Sequence, residues 1–355
     1  MRREPDRIIQ DLASASAAHV LAPYAAPAWL PGRHLQTVYP ALLPQSALPY
    51  RREHWETPDG DVIALDWLDG RVGAPVLVLF HGLEGSSRSH YALALMRAVQ
   101  ARGWNSVVYH FRGCGGAPNR LPRAYHSGDT AEADWAVPRL KARFPDVPLY
   151  AVGVSLGGNL LLKWLGEQGH AASALVTRAA AVSAPLDLMA SGAALERGVN
   201  RFYARVFLAT HKPKVMNILE RHPKLCDLER LLAARTMRQF DDAFTAPVHG
   251  FRDTDDYWTR ASSKPWLARI AVPTLVLNAR NDPFLPEHAL PGQSDVSSHV
   301  TLEFPAEGGH VGFCTGPLPG RINWLPSRLL AFFDAAPAPR RAVANRPPLL
   351  LHHDD

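Results

Sequence analysis

The sequence predicts an α/β fold with a mostly parallel central sheet, helices on both faces and a helical cap insertion. Three observations carry that reading. From Glu53 onward, short β-branched runs alternate with segments of helical period, the pattern of β-α units. The alternation stops between about Asp187 and Ala268, where the chain reads as helices rich in Arg, Leu and Ala. It then resumes with "VPTLVLNARNDPFLP" and "HVTLEFPAEGGHVGF". The expected organisation is an irregular segment over 1–50, a core over 51–186 and 269–334, an insertion over 187–268, and a disordered Pro/Ala/Arg-rich tail over 335–355.

Each element has its own justification. The Ala- and Pro-rich start contains "PAWLPGRHLQTVYPALL", read as an irregular stretch packing on the domain edge. "HWETPDGDVIALDWL" predicts a hairpin about a Pro-Asp-Gly turn. "APVLVLFHGLEGSS" is a buried strand running into a Gly-rich loop, with a helix following from about Ser89 to Arg102. "NSVVYHFRGCGG" is another strand and loop. In "HSGDTAEADWAVPRLKARF", Asp129 and Glu132 have capping-box spacing at the start of a helix. "LYAVGV" and "RAAAVSAPLDL" are buried strands, and a helix at about Arg321 to Asp334 closes the domain.

The bulk composition excludes several classes. In 355 residues, 47% hydrophobic and 20% charged content are those of a globular protein. The formal charge of +5 comes from scattered basic residues, with no basic stripe interleaved with aromatics, so no nucleic-acid partner is expected. Cys114, Cys226 and Cys314 lie far apart without a C-x-x-C pair, which fits a reducing compartment. Glu4, Asp6 and Asp11 interrupt any apolar leader, and no run is long enough for a membrane span. A cytoplasmic protein is expected. The sixteen His show no H-E-x-x-H or H-x-H spacing, and neither metal nor cofactor is expected.

The chemistry centres on "LYAVGVSLGGNLLLKWLGE". Ser155 lies at the seam of strand and helix, flanked by Gly153 and Gly157 where the two backbones nearly touch. The pattern is G-x-S-x-G, a nucleophile elbow. Composition alone would produce it in about one chain in ten of this length, so the strand–turn–helix context decides. A serine hydroxyl needs a base in hydrogen-bond reach and a third group orienting that base. Asp282 follows the strand "TLVLNAR" and His310 follows "VTLEF", both at carboxyl ends of strands where sites collect. The order Ser155, Asp282, His310 is that of the α/β-hydrolase fold. Against this, Asp282 in "NDPF" could merely start a turn, His310 could be a structural loop histidine, and Asp187 is a rival acid. For an oxyanion, the backbone N–H groups of Leu156 and of Leu83, in the H-G-x-x-G loop "HGLEGSS", are the candidate donors. His81 is read as bracing that loop. "RGCGG" lacks the Lys-Ser/Thr of a nucleotide loop.

Two further stretches carry expectations. The carboxylates of Asp241 and Asp242 in "FDDAFTAPVHGF" should point different ways, which argues against a metal pair. That stretch is read as the return of the insertion to the sheet, lining the site mouth. Leu195, Phe202, Val206 and Phe207, interleaved with Arg197, Arg201 and Arg205, either pack the insertion onto the sheet or roof a pocket.

Over roughly Pro27 to Phe333 the chain resembles the YheT-like α/β hydrolases. The matching stretches are "WLPGRHLQTVYP", "HGLEGSSRSHY", "FRGCGG", "YHSGDT", "GVSLGGNLLLKWLGE", "FDDAFTAPVHGF", "ARNDPFLP" and "GGHVGF". The resemblance implies a cofactor-free hydrolase of carboxylic esters, with relatives regarded as short-chain esterases, monoacylglycerol lipases or phospholipid acyl hydrolases. It places nucleophile, acid and base on Ser155, Asp282 and His310. The expected partner is a small-molecule ester or lipid. An acyltransferase with the same triad and a non-catalytic binding protein on the same scaffold are the rival readings. Oligomeric state is not readable from the residues.

Overall fold

The computed structural model describes residues 22–335, so most of the expected tail lies outside the described residues. Eight strands form one sheet in the order β1-β2-β4-β3-β5-β6-β7-β8. Strands β1 (Arg51–Glu56) and β2 (Val62–Leu68) are the expected antiparallel hairpin, and β2 also pairs antiparallel with β4 (Asn105–Tyr109). The others, β3 (Val76–Phe80), β5 (Leu149–Val154), β6 (Arg178–Val182), β7 (Thr274–Leu277) and β8 (Val300–Glu303), join β4 in parallel.

Continuous apolar runs suit strands covered on both faces. On β3, Val76, Val78 and Phe80 share a buried cluster with Leu160, Leu161 and Trp164 of helix α4 (Leu156–Gln168). Leu77 and Leu79 point the other way, into a cluster with Met96 and Val99 of α2 (His90–Ala101) and Leu329 and Phe333 of α8 (Trp324–Asp334). A period of two thus divides each strand between two cores.

Helix α1 (Arg33–Leu42) corrects the expectation of an irregular amino-terminal segment. Pro40 sits inside it, and its missing N–H removes the donor that the Gln36 carbonyl would meet in a regular helix. That proline, in a Pro-rich context, hides the helical period. Helix α3 (Thr130–Arg143) begins where expected, but the capping box does not form. Glu132 is turned into the protein, where its carboxylate accepts from Arg112 Nε at 2.7 Å and Tyr109 OH at 2.6 Å, while Asp129 accepts from Arg123 at 2.5 Å.

Between β6 and β7 the regular structure is helical: α5 (Leu188–Leu195), α6 (Asn200–Arg221), short helices at Leu228–Ala233 and Met237–Phe240, a π turn at Asp241–Thr245, and α7 (Thr254–Ala261). It has its own buried cluster, including Leu208, Ile218, Leu231, Phe244 and Trp258. Asn159 of α4 joins this segment to the sheet. Its buried amide donates to Ser127 O at 3.0 Å and Ala261 O at 2.8 Å, and its oxygen accepts from Ser263 N at 2.9 Å. Among the described residues, no helix is long and apolar enough to cross a membrane.

Candidate active site

The β3–β5 register places Phe80 opposite Gly153, so the loop after β3 and the turn after β5 leave the sheet side by side. Ser155 occupies that turn at φ 51°, ψ −120°, a region costly for any residue with a side chain. The strain persists because the surroundings leave no slack. A Cβ on Gly157 would lie 2.3 Å from Phe80 O, and one on Gly153 would lie 2.3 Å from Gly157 O. The glycines therefore let helix α4 approach the sheet closely enough to present Ser155.

The structure brings the three side chains together from three separate loops. His310 Nε2 lies 3.0 Å from Ser155 Oγ, and His310 Nδ1 lies 2.7 Å from Asp282 Oδ2. Asp282 is buried, and its other oxygen accepts from the Phe284 N–H at 2.8 Å. Since a carboxylate only accepts, the Nδ1–H tautomer is the one this arrangement holds, leaving Nε2 free to accept a hydrogen bond from the Ser155 hydroxyl. Asp187 is elsewhere occupied: it is the N-cap of α5, accepting from Ala190 N–H at 3.0 Å.

Leu83 and Leu156 line the same cavity as Ser155 and His310. The loop carrying Leu83 runs close by, since a Cβ on Gly82 would lie 3.1 Å from that of Ser155. Among the described residues neither backbone N–H donates to another group, although the neighbouring Gly82 and Glu84 N–H groups are taken by Tyr91 OH and Tyr125 OH. His81 is wholly buried with Nδ1 2.7 Å from Gly82 O, and its Nε2 accepts from Phe111 N–H at 3.2 Å. Burial pushes its pKa down to about 3, so it is a neutral brace.

Supports that the sequence did not announce hold these loops. Gln36 of α1 is buried beneath the loops that carry Asp282 and His310. Its Oε1 accepts from Gly308 N–H at 3.0 Å and Asn281 Nδ2 at 2.8 Å, while its Nε2 donates to Leu30 O and Glu307 Oε1 at 3.1 Å each. Thr37 Oγ1 accepts from His310 N–H at 2.9 Å. The contact is close: a Cβ on Gly312 would lie 1.9 Å from Gln36 O. On the other side, Lys214 of α6 reaches Glu84 Oε2 at 2.8 Å, and Tyr125 OH donates to Glu84 Oε1 at 2.7 Å. Burial alone would raise the Glu84 carboxyl, but His211, Lys214 and the hydrogen bonds outweigh it and hold the group below its usual range. No motif pairs Glu84 with Lys214; only the fold of the insertion does.

The cavity above Ser155 has a volume of about 510 Å³, within the range of small-molecule sites. Leu188, Leu195, Phe207, Phe240 and Phe244 of the helical insertion contribute to its walls. Phe202 and Val206 do not; they face solvent. The "FDDAFTAPVHGF" stretch does line the cavity through Phe240, Asp241, Phe244 and Thr245. It is not, however, the return to the sheet, because α7 and a 3₁₀ turn at Lys264–Arg269 still intervene before β7. Its two carboxylates diverge: Asp241 Oδ2 accepts from Trp258 Nε1 at 2.9 Å, and Asp242 Oδ1 from Thr254 N–H at 2.8 Å. Burial pushes the Asp241 carboxyl up to about 7.

A strained serine at a strand–helix turn, on a parallel sheet with helices on both faces, defines the class of the α/β hydrolases. Residues 75–317 match the family model for the alpha/beta hydrolase fold, and the chain belongs to that family. It is 42% identical over 303 residues to YheT of Escherichia coli strain K12, which is named as a candidate esterase; the match covers 83% of this chain and 88% of that one. It is 31% identical to mouse phospholipase ABHD3, over 83% of this chain and 74% of the relative. Among solved structures, the Pyrococcus furiosus esterase Pf2001 shares the fold at a TM-score of 0.51 and 16% identity, covering 80% of this chain and 91% of that one.

Proposed function

We propose that this chain is a serine hydrolase that cleaves carboxylic esters through an acyl-enzyme on Ser155. The observation that carries the reading is the unbroken hydrogen-bonded line Asp282–His310–Ser155 opening into a cavity with apolar walls. His310 Nε2 takes the Ser155 proton as Oγ attacks the ester carbonyl, and Asp282 stabilises the imidazolium. The N–H groups of Leu83 and Leu156 receive the oxyanion. On collapse, His310 returns the proton to the leaving alcohol. Water, deprotonated by the same His310, then attacks the acyl-enzyme and frees the acid and Ser155. The residues called on require no metal or cofactor for these steps. The names of YheT and ABHD3 support an ester or lipid substrate.

The apolar walls favour short- to medium-chain acyl esters or monoacylglycerol-like lipids. Each methylene buried in the cavity adds about 0.8 kcal/mol, roughly fourfold in affinity. A panel of p-nitrophenyl esters and monoacylglycerols of increasing acyl length tests this. kcat/KM should climb with length until the cavity is full and then fall, with peptide amides far slower. A preference for peptides over every ester would overturn the reading.

A further inference from the structure

We propose that the outer face of α6, together with the adjoining face of α1, docks the protein onto membranes containing anionic phospholipid. Isolated exposed apolar side chains are ordinary, but a contiguous set marks an interaction surface. Val199, Phe202 and Val206 are 61%, 64% and 46% exposed. They fall three and four residues apart, and so form one stripe. The opposite side of α6 supplies Phe207 and His211 to the cavity wall, so the exposed stripe is not needed for packing.

The neighbouring helix extends the patch. His34 of α1 stacks on Tyr203 of α6, with Nδ1 3.2 Å from the tyrosine oxygen. Val38 and Leu42 follow His34 at four-residue steps on the same side, and both are exposed, Leu42 at 72%. From Tyr203 the contacts run inward: its ring packs on Phe284 at 4.8 Å, and Phe284 packs on His310 at 4.6 Å. The patch therefore lies two aromatic rings from the Ser155 site.

Charge identifies the occupant. Arg205 borders one side of the stripe, Arg201 lies one turn before Arg205 on that same side, and Arg197 precedes both. All three are exposed, and among the described residues none forms an ion pair. From Arg197 to Leu219 the chain has no acidic residue at all. A helix with an apolar face bordered by uncompensated arginines has the character of an interfacial helix, its apolar side chains entering the acyl boundary and its cations meeting lipid phosphates. A nucleic acid would use the arginines but leave the stripe wet. A second copy would bring its own arginines against these. This proposal does not depend on the reaction class.

The test is co-sedimentation of the intact chain with vesicles of phosphatidylcholine alone and of phosphatidylcholine mixed with phosphatidylglycerol. Binding should favour the anionic vesicles and weaken in high salt. Arg201→Gln with Arg205→Gln should lower partitioning about 25-fold, at about fivefold per arginine. Phe202→Ser with Val206→Ser should lower it about tenfold or more. Both double variants should hydrolyse a soluble short-chain ester within twofold of the parent, and Ser155→Ala should bind vesicles like the parent. Absence of vesicle binding, or equal binding by the variants, would overturn the proposal. So would a dimer in solution that Phe202→Ser dissociates, which would give the face to a second copy.

Discussion

At the residue scale, the division of labour between acids follows from what each carboxylate already holds. Asp282 is buried and spends one oxygen on the His310 ring and the other on a backbone N–H, whereas Asp187 caps a helix. Asp282→Asn should therefore lower kcat about 10³-fold or more, because the amide no longer fixes the Nδ1–H tautomer. Asp187→Asn should stay within a few-fold, since asparagine also caps helices. Steady-state kinetics on folded variants give the ranking, and the reverse order would move the acid. Asp241 makes a different prediction. Its pKa is raised from 3.8 to about 7 by burial, so the folded state holds a proton that the unfolded state releases. Its contribution is fully favourable below pH 3.8 and is lost as pH rises through about 7. Stability of Asp241→Asn relative to the parent should rise across that window, by up to about 4 kcal/mol, and then level off. Denaturant melts at pH 4 and pH 8 measure the difference; an offset that does not change with pH would place the Asp241 proton elsewhere.

At the element scale, strands and their terminal loops were legible because buried parallel strands are unbroken apolar runs and the site residues sit at their carboxyl ends. The glycines around Ser155 were legible for the same reason: a tight strand–helix turn admits little else. Helix α1 was not. Its value lies in buried polar contacts made 245 to 273 residues away in sequence, through Gln36 and Thr37, and no local pattern encodes a partner at that separation. Glu132 shows the converse error, a capping spacing overridden by a buried arginine. The same limit applied to Phe202, Val206, Leu195 and Phe207, whose helical period could not say which side met the cavity. The role of α1 is measurable. Gln36→Ala would leave the Gly308 N–H and the Asn281 amide without their acceptor, each at a cost of about 1–3 kcal/mol if still buried. It should lower kcat about 10- to 100-fold through displacement of the His310 loop, with KM changing less. An unchanged kcat in a folded variant would show that α1 only packs on the domain.

For the whole molecule, a parallel sheet brings together loops that are distant in sequence, and the helical insertion closes an apolar chamber over them. The sheet supplies Ser155, Asp282 and His310, α1 braces two of their loops from below, and Lys214 of the insertion grips the loop bearing Leu83 through Glu84. We propose that this assembly makes Ser155 a nucleophile. The most direct measurement is labelling of the intact protein by a fluorophosphonate probe, with the modified residue identified by peptide mass spectrometry and turnover of a short-chain ester followed in parallel. A single covalent adduct on Ser155 is expected, with no labelling of Ser155→Ala and about a 10⁴- to 10⁶-fold loss of turnover in that variant. An adduct on another residue, or esterase activity within tenfold of the parent in Ser155→Ala, would contradict it.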